Sequence, residues 1–170
     1  PGDGSDIVEG QGGNDTLAFN GSNAAEKIEL SANGPRLRLT RDIAGITMDT
    51  DGIEAVNVRA LGSADLVAVD DLAGTDVKTV DVDLGGFSPG GDGAADAVVV
   101  NGSERRDVVQ VSRSGAQVAV AGLAATTRIV NSEPAADSLR IQTLGGNDDV
   151  AVAPDVADLI PTIVDLGADD

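Results

Sequence analysis

The sequence predicts an all-β protein, and three observations carry that prediction. Aliphatic and polar residues alternate in short runs, the period of a strand with one face buried. Glycine, asparagine and aspartate separate the runs about every ten residues. No stretch has the apolar period of a helix; Ala121 to Thr127 is the one place where a brief helical turn fits. The preferred architecture is a right-handed parallel β-solenoid, and the alternative is a tandem pair of Ig-like β-sandwiches.

In chain order the expected strands are "DTLAF" from Asp15, "KIEL" from Lys27, "RLRLT" from Arg36, "GITMD" from Gly45, "EAVNVR" from Glu54, "DLVAV" from Asp65 and "KTVDVDL" from Lys78. Seven more follow: "DAVVV" from Asp96, "DVVQV" from Asp107, "AQVAV" from Ala116, "TTRIV" from Thr126, "SLRIQ" from Ser138, "DDVAV" from Asp148 and "PTIVDL" from Pro161. The second seven repeat the first. Asp15 onward aligns with Asp96 onward at an offset of 81, placing Asn20-Gly21-Ser22 on Asn101-Gly102-Ser103 and Gly34 on Gly115. "VRALGSADLVAV" from Val58 aligns with "IQTLGGNDDVAV" from Ile141 at 83. Residues 15–95 are therefore read as repeat 1 and residues 96–170 as repeat 2, with both able to join in one continuous solenoid. Phe19 and Phe87 are the only aromatic residues. Sandwich cores usually bury bulky aromatics, whereas stacked Val and Leu ladders suit a solenoid.

Residues 1–18 form two nonapeptide-like blocks, Pro1–Glu9 and Gly10–Ala18, each with Gly at its fourth position, Asp at its sixth and an aliphatic residue at its eighth. Glycine-rich turns take positive φ and bring backbone carbonyls together. With a carboxylate added, the oxygen set suits a hard cation, above all calcium. The blocks resemble the G-G-x-G-x-D-x-U-x repeats of RTX, or hemolysin-type, calcium-binding proteins. Pro1 stands where a first glycine is expected and Gln11 where a second is. The resemblance implies a parallel β-roll with calcium between successive turns. It makes Asp6 and Asp15 the leading ligands, shaped by Gly2, Gly4, Gly10, Gly12 and Gly13. Degraded copies of the frame add Asp65, Asp92, Asp96, Asp107 and Asp148. The alternative at each is an ordinary turn in which the side chain hydrogen-bonds its own backbone. The 81-residue unit is similar to spacer units that alternate with nonapeptide tracts in large bacterial RTX-type surface proteins.

Composition narrows the function. Of 29 acidic residues 23 are aspartate, against eleven Lys and Arg, for a formal net charge of -18. Nucleic acid and anionic membranes would be repelled. Cysteine and histidine are absent, which removes disulfides, thiolate zinc sites and histidine acid–base chemistry. A cysteine-free, aspartate- and glycine-rich chain resembles bacterial proteins exported in one step. No run approaches eighteen apolar residues and no basic-then-apolar leader opens the sequence. It opens in mid-motif, so the expectation is a segment of a longer protein.

Acid pairs raise an enzymatic alternative of the polysaccharide-acting β-helix type, with Asp70-Asp71, Asp148-Asp149, or Asp81 and Asp83 as its carboxylates. Asp81 and Asp83 share a strand face. The lack of aromatic stacking residues and of a clustered base weighs against catalysis. Arg36, Arg38 and Arg41 form one basic patch on a strand face, expected to pair with nearby aspartates. The expected function is a calcium-binding structural segment of a secreted or cell-surface bacterial protein: a spacer, adhesive stalk or filament. Its expected partners are calcium, adjacent repeats and, in fibres, other copies of itself, with no nucleic acid and no membrane insertion. Ig-like adhesion modules are the third reading.

Overall fold

The computed structural model describes residues 4–87 and 90–168. Its regular structure is β1 (Asp6–Glu9), β2 (Thr16–Ser22), β3 (Lys27–Asn33), β4 (Arg36–Arg41), β5 (Ile46–Asp51), β6 (Ala55–Leu61), β7 (Leu66–Val69), β8 (Thr79–Asp83), β9 (Ala97–Asn101), β10 (Val108–Ser114), β11 (Gln117–Ala121), β12 (Thr126–Val130), β13 (Ser138–Gln142), β14 (Asp149–Val152) and β15 (Thr162–Asp165), with short 3-10 turns at Ile43–Gly45 and Pro154–Asp158. The molecule is all-β, and β2 to β15 fall on the fourteen alternating runs. Ala121 to Thr127 does not form a helical turn. It bends and enters β12, because Gly122 sits at φ 104° with the Val108 carbonyl against its Cα, a place no side chain can fill.

Two sheets face each other. Sheet 1 has the order β1-β5-β4-β3-β7-β9-β13-β15, and sheet 2 the order β14-β10-β11-β12-β8-β6-β2. Both are mixed: nine of the thirteen pairs among the described strands are parallel and four antiparallel. Neither expected architecture describes them as they stand, since a parallel solenoid has no antiparallel pairs and an Ig-like sandwich no parallel ones. The antiparallel pairs come from one meander per repeat, β3-β4-β5 and β10-β11-β12. Its first turn is two residues long, with Gly34 at φ 64° and Gly115 at φ 63°. A two-residue turn can only fold a strand back beside itself.

Elsewhere the chain crosses from one sheet to the other. It crosses five times between β2 and β9, an odd number, so β2 lies in sheet 2 and its counterpart β9 in sheet 1. Each repeat is turned over relative to the last, and both sheets run through both repeats. Parallel register builds continuous apolar ladders: Ile28, Val67, Val98 and Leu139 in sheet 1, and Phe19, Val58, Val82 and Ile129 in sheet 2. All eight are buried, and burying each fully contributes about 1.5–3 kcal/mol.

Arg36, Arg38 and Arg41 do not share a face. Arg36 points outward to Glu9 at 2.8 Å and to Asp49. Arg41, in register with buried Ile28, turns inward, 5.9 Å from the centre of the Phe19 ring. Arg41 lies five positions after Arg36 along the strand, an odd step that reverses the face.

Candidate functional site

The residue just before each strand of sheet 1's central run is an acid: Glu26 before β3, Asp65 before β7, Asp96 before β9 and Asp137 before β13. These strands are neighbours, so the acids stack into a column along one edge of the molecule. A head-to-tail set of hydrogen bonds links them. The Glu26 N–H donates to Asp65 Oδ1 at 2.8 Å, the Asp65 N–H to Asp96 Oδ1 at 2.8 Å, and the Asp96 N–H to Asp137 Oδ1 at 2.9 Å. Each carboxylate thus stands in for the carbonyl that the next strand would have offered, and caps the end of the sheet. All four residues are at most 4 % exposed.

The loops leading into the column cap it from within. The Ser22 N–H and hydroxyl both donate to Glu26, at 3.0 and 2.6 Å, and the Glu133 N–H donates to Asp137 at 2.7 Å. In repeat 2 the Ser103 N–H donates to Asp107 at 2.7 Å, reproducing Ser22 and Glu26 at the offset of 81. Gly21 and Gly102 both make room for a corner carboxylate, and Gly21 also for the Ala60 carbonyl, 2.6 Å from where its Cβ would stand. A Cβ on Gly21 would lie 2.5 Å from Glu26 Oε2, and one on Gly102 would collide with Asp107 Oδ2.

Charge is poorly balanced here. Asp65 is pushed up to about 7, first by burial and then by the Asp96, Glu26 and Asp92 carboxylates, against the help of the Glu26 N–H. Asp96 is pushed up to about 6 by burial and by Asp137, Asp92 and Glu133. Asp137 is raised by burial, Glu133 and Asp92. Among the described residues, Arg41 is the cation that pairs with the column, 3.6 Å from Glu26. Asp65 Oδ2 is buried without a hydrogen-bond partner. Beside the column lies an open hollow of about 430 Å³, lined in part by Asn23, Gly62 and Asp92.

Of the predicted ligands, Asp65 and Asp96 are joined in the column, and the Asp92 carboxylate lies near enough to raise both. Asp92 also accepts the Ala94 N–H at 2.8 Å, an Asx turn. The others stand apart. Gly2 lies outside the described residues. Gly4 and Asp6 are exposed at the start of β1, with Asp6 opposite Met48. Gly13 is exposed at φ 140°, and Asp15, before β2, donates its N–H to Glu54 at 2.7 Å. Asp148, before β14, accepts the Asp107 N–H at 2.7 Å. Glu54 thus caps the start of β2 and Asp148 the start of β10, as the column caps sheet 1. Among the described residues, no three acidic side chains are already gathered as a metal-ligand set.

The sequence reading missed Asp137, Glu133 and Glu54. The signal was available: an acid directly before the alternating run, as in "EAVNVR" and "DSLRIQ". Three acids of the proposed pairs have side-chain partners. Asp81 faces Arg128 at 3.4 Å, Asp83 faces Arg59 at 3.6 Å, and Asp70 accepts from Asn101 at 2.7 Å. No helix among the described residues is long and apolar enough to cross a membrane. No known protein family, curated protein or solved structure matches the chain.

Proposed function

We propose that the chain is a calcium-binding structural repeat segment of a secreted or cell-surface bacterial protein, serving as a spacer, adhesive stalk or filament unit. The observation that carries this reading is the buried carboxylate column with the unpartnered Asp65 Oδ2 inside it. Rungs about 5 Å apart place like charges in a poorly solvated edge. A hard cation with oxygen ligands offsets that repulsion. Asp65, Asp92 and Asp96 are the side chains that would hold it. The Asn23 side-chain oxygen, 2.9 Å from where a Cβ on Gly62 would stand, and the Leu61 carbonyl near Gly86 supply neutral oxygens beside them. The resemblance of residues 1–18 to RTX blocks supports the choice of calcium, with the acid column, rather than those turns, as the main site.

Two features support a structural role. The chain path reads as a two-sided coil, interrupted once per repeat by a meander, with both repeats locked into the same two sheets. Its outer faces carry ion pairs such as Arg128 with Asp81. Calorimetry at pH 7 in two buffers of different ionisation enthalpy tests the reading. Calcium uptake with proton release is expected, because the ion must displace protons from Asp65 and Asp96, and magnesium should substitute poorly. Absence of any binding heat at millimolar calcium would overturn the calcium assignment.

A further inference from the structure

A cavity of about 10 Å³ lies where the ends of β7 and β9 in sheet 1 meet the start of β12 in sheet 2, far along the strands from the acid column. Asp70, Asp71, Asn101 and Thr127 help to line it. That volume holds one body the size of a water or a bare ion and no organic ligand. Asp70, Asp71 and Asn101 also line an open hollow of about 470 Å³, beside Ser31 and Gln142 on the outer side of sheet 1. The two carboxylates therefore stand at a neck between solvent and the cavity.

The walls present oxygens that the fold leaves unused. Thr127 is fully buried between Val80 and Val120, and its Oγ1 has no hydrogen-bond partner. The Asn101 Oδ1 is buried and unpartnered as well. Asn101 donates its amide N–H to Asp70 Oδ1 at 2.7 Å, and a carboxylate only accepts, so the amide oxygen must take the other side. Asp71 Oδ1 accepts the Ala73 N–H at 2.9 Å. Among the described residues no ion pair joins either aspartate. Nor does the fold demand these polar groups. The repeat alignment puts Ala153 and Pro154 at the places of Asp70 and Asp71, and Met48 lies opposite Leu39 as Thr127 lies opposite Val120.

We propose that this neck is a second calcium site. Asp70 and Asp71 supply the charge, the Asn101 amide oxygen and the Thr127 hydroxyl supply neutral oxygens from within, and waters of the hollow complete the shell. Calcium takes about six to eight oxygens and tolerates such an irregular mixture, whereas magnesium holds to its own waters. The bound ion ties the ends of β7 and β9, one from each repeat, to β12 in the facing sheet. Two carboxylates here against three at the column make this the weaker site, because affinity follows ligand charge. The site stands on its own oxygens and needs no ion in the column.

Calorimetric titration with calcium chloride tests the site, in about 0.1 M potassium chloride to screen the diffuse charge. The unmodified chain should take up two ions, the second about tenfold or more weakly. Asp71→Asn should keep the tight event and lose the weak one, since the amide oxygen still accepts the Ala73 N–H. Thr127→Val should weaken the second event about threefold or more and leave the first unchanged, although without calcium it is no less stable than the unmodified chain. Asp65→Asn should lose the tight event and keep the weak one. Circular dichroism checks that each variant folds. A single event, lost in Asp65→Asn and kept in Asp71→Asn, would overturn the second site, make water the occupant of the cavity and leave the column reading standing. Two events that neither Asp71→Asn nor Thr127→Val alters would overturn it too. An event kept in Asp65→Asn and lost in Asp71→Asn, with no other, would support the second site and overturn the column, and no binding in any protein would overturn both.

Discussion

The backbone N–H of Asp65 donates to the carboxylate of Asp96 across the boundary between the two sequence repeats. One residue ends the corner before β7 and the other the corner before β9, so the bond joins repeats as it joins rungs within a repeat. The same device fixes register, because a slip would leave each carboxylate without its N–H. The cost is a line of buried acids whose charge is only partly offset.

That cost makes stability depend on pH. Asp65 and Asp96 titrate near 7 and 6 in the folded chain, against about 3.9 when unfolded. Between those values the folded state holds more protons, so stability falls as pH rises. The contribution is fully present below about pH 4 and lost by about pH 7 to 8. Asp42 is shifted down by the Lys27 N–H and works the other way at lower pH. Calcium-free thermal melts should therefore peak near about pH 4 and decline toward pH 8, by the equivalent of a few kcal/mol.

Gly21 and Gly102 leave room for the corner carboxylates, so Gly21→Ala and Gly102→Ala should each cost about 1–3 kcal/mol. Gly12, within the second nonapeptide-like block, has nothing within 4 Å of its missing Cβ. Gly12→Ala should change stability by less than about 0.5 kcal/mol. Urea denaturation of the three variants checks the contrast.

Thr127 is fully buried in the sheet 2 ladder between Val80 and Val120, and its hydroxyl has no hydrogen-bond partner. Thr127→Val keeps the shape and removes an unsatisfied polar group. It should stabilise the chain by about 1 kcal/mol in urea denaturation.

The strands were legible in the sequence because each has one buried face, and alternation records that face directly. The pairing was less so. Alternation in "RLRLT" says which side chains go inward, not which neighbour the backbone meets. The hairpins were signalled by Gly34-Pro35 and Gly115-Ala116, glycine-led two-residue turns that fold a strand back locally, whereas stacked coils were expected there. The acids of the degraded frame were legible as corner residues, but their stacking was not. Asp65, Asp96 and Asp137 are separated by 31 and 41 residues, and only the sheet order brings them into one column. Arg41 shows the same limit, since its inward turn toward Phe19 follows from its place opposite Ile28.

The central claim is that the acid column is where cation and fold meet, and paired melts of the unmodified chain and Asp65→Asn at pH 7.5, with and without calcium, test it most directly. The amide keeps an oxygen to accept the Glu26 N–H and removes the charge. Asp65→Asn should melt higher than the unmodified chain in chelator and gain little from calcium, while the unmodified chain gains several degrees. Equal calcium responses in both proteins, or none in either, would contradict the account.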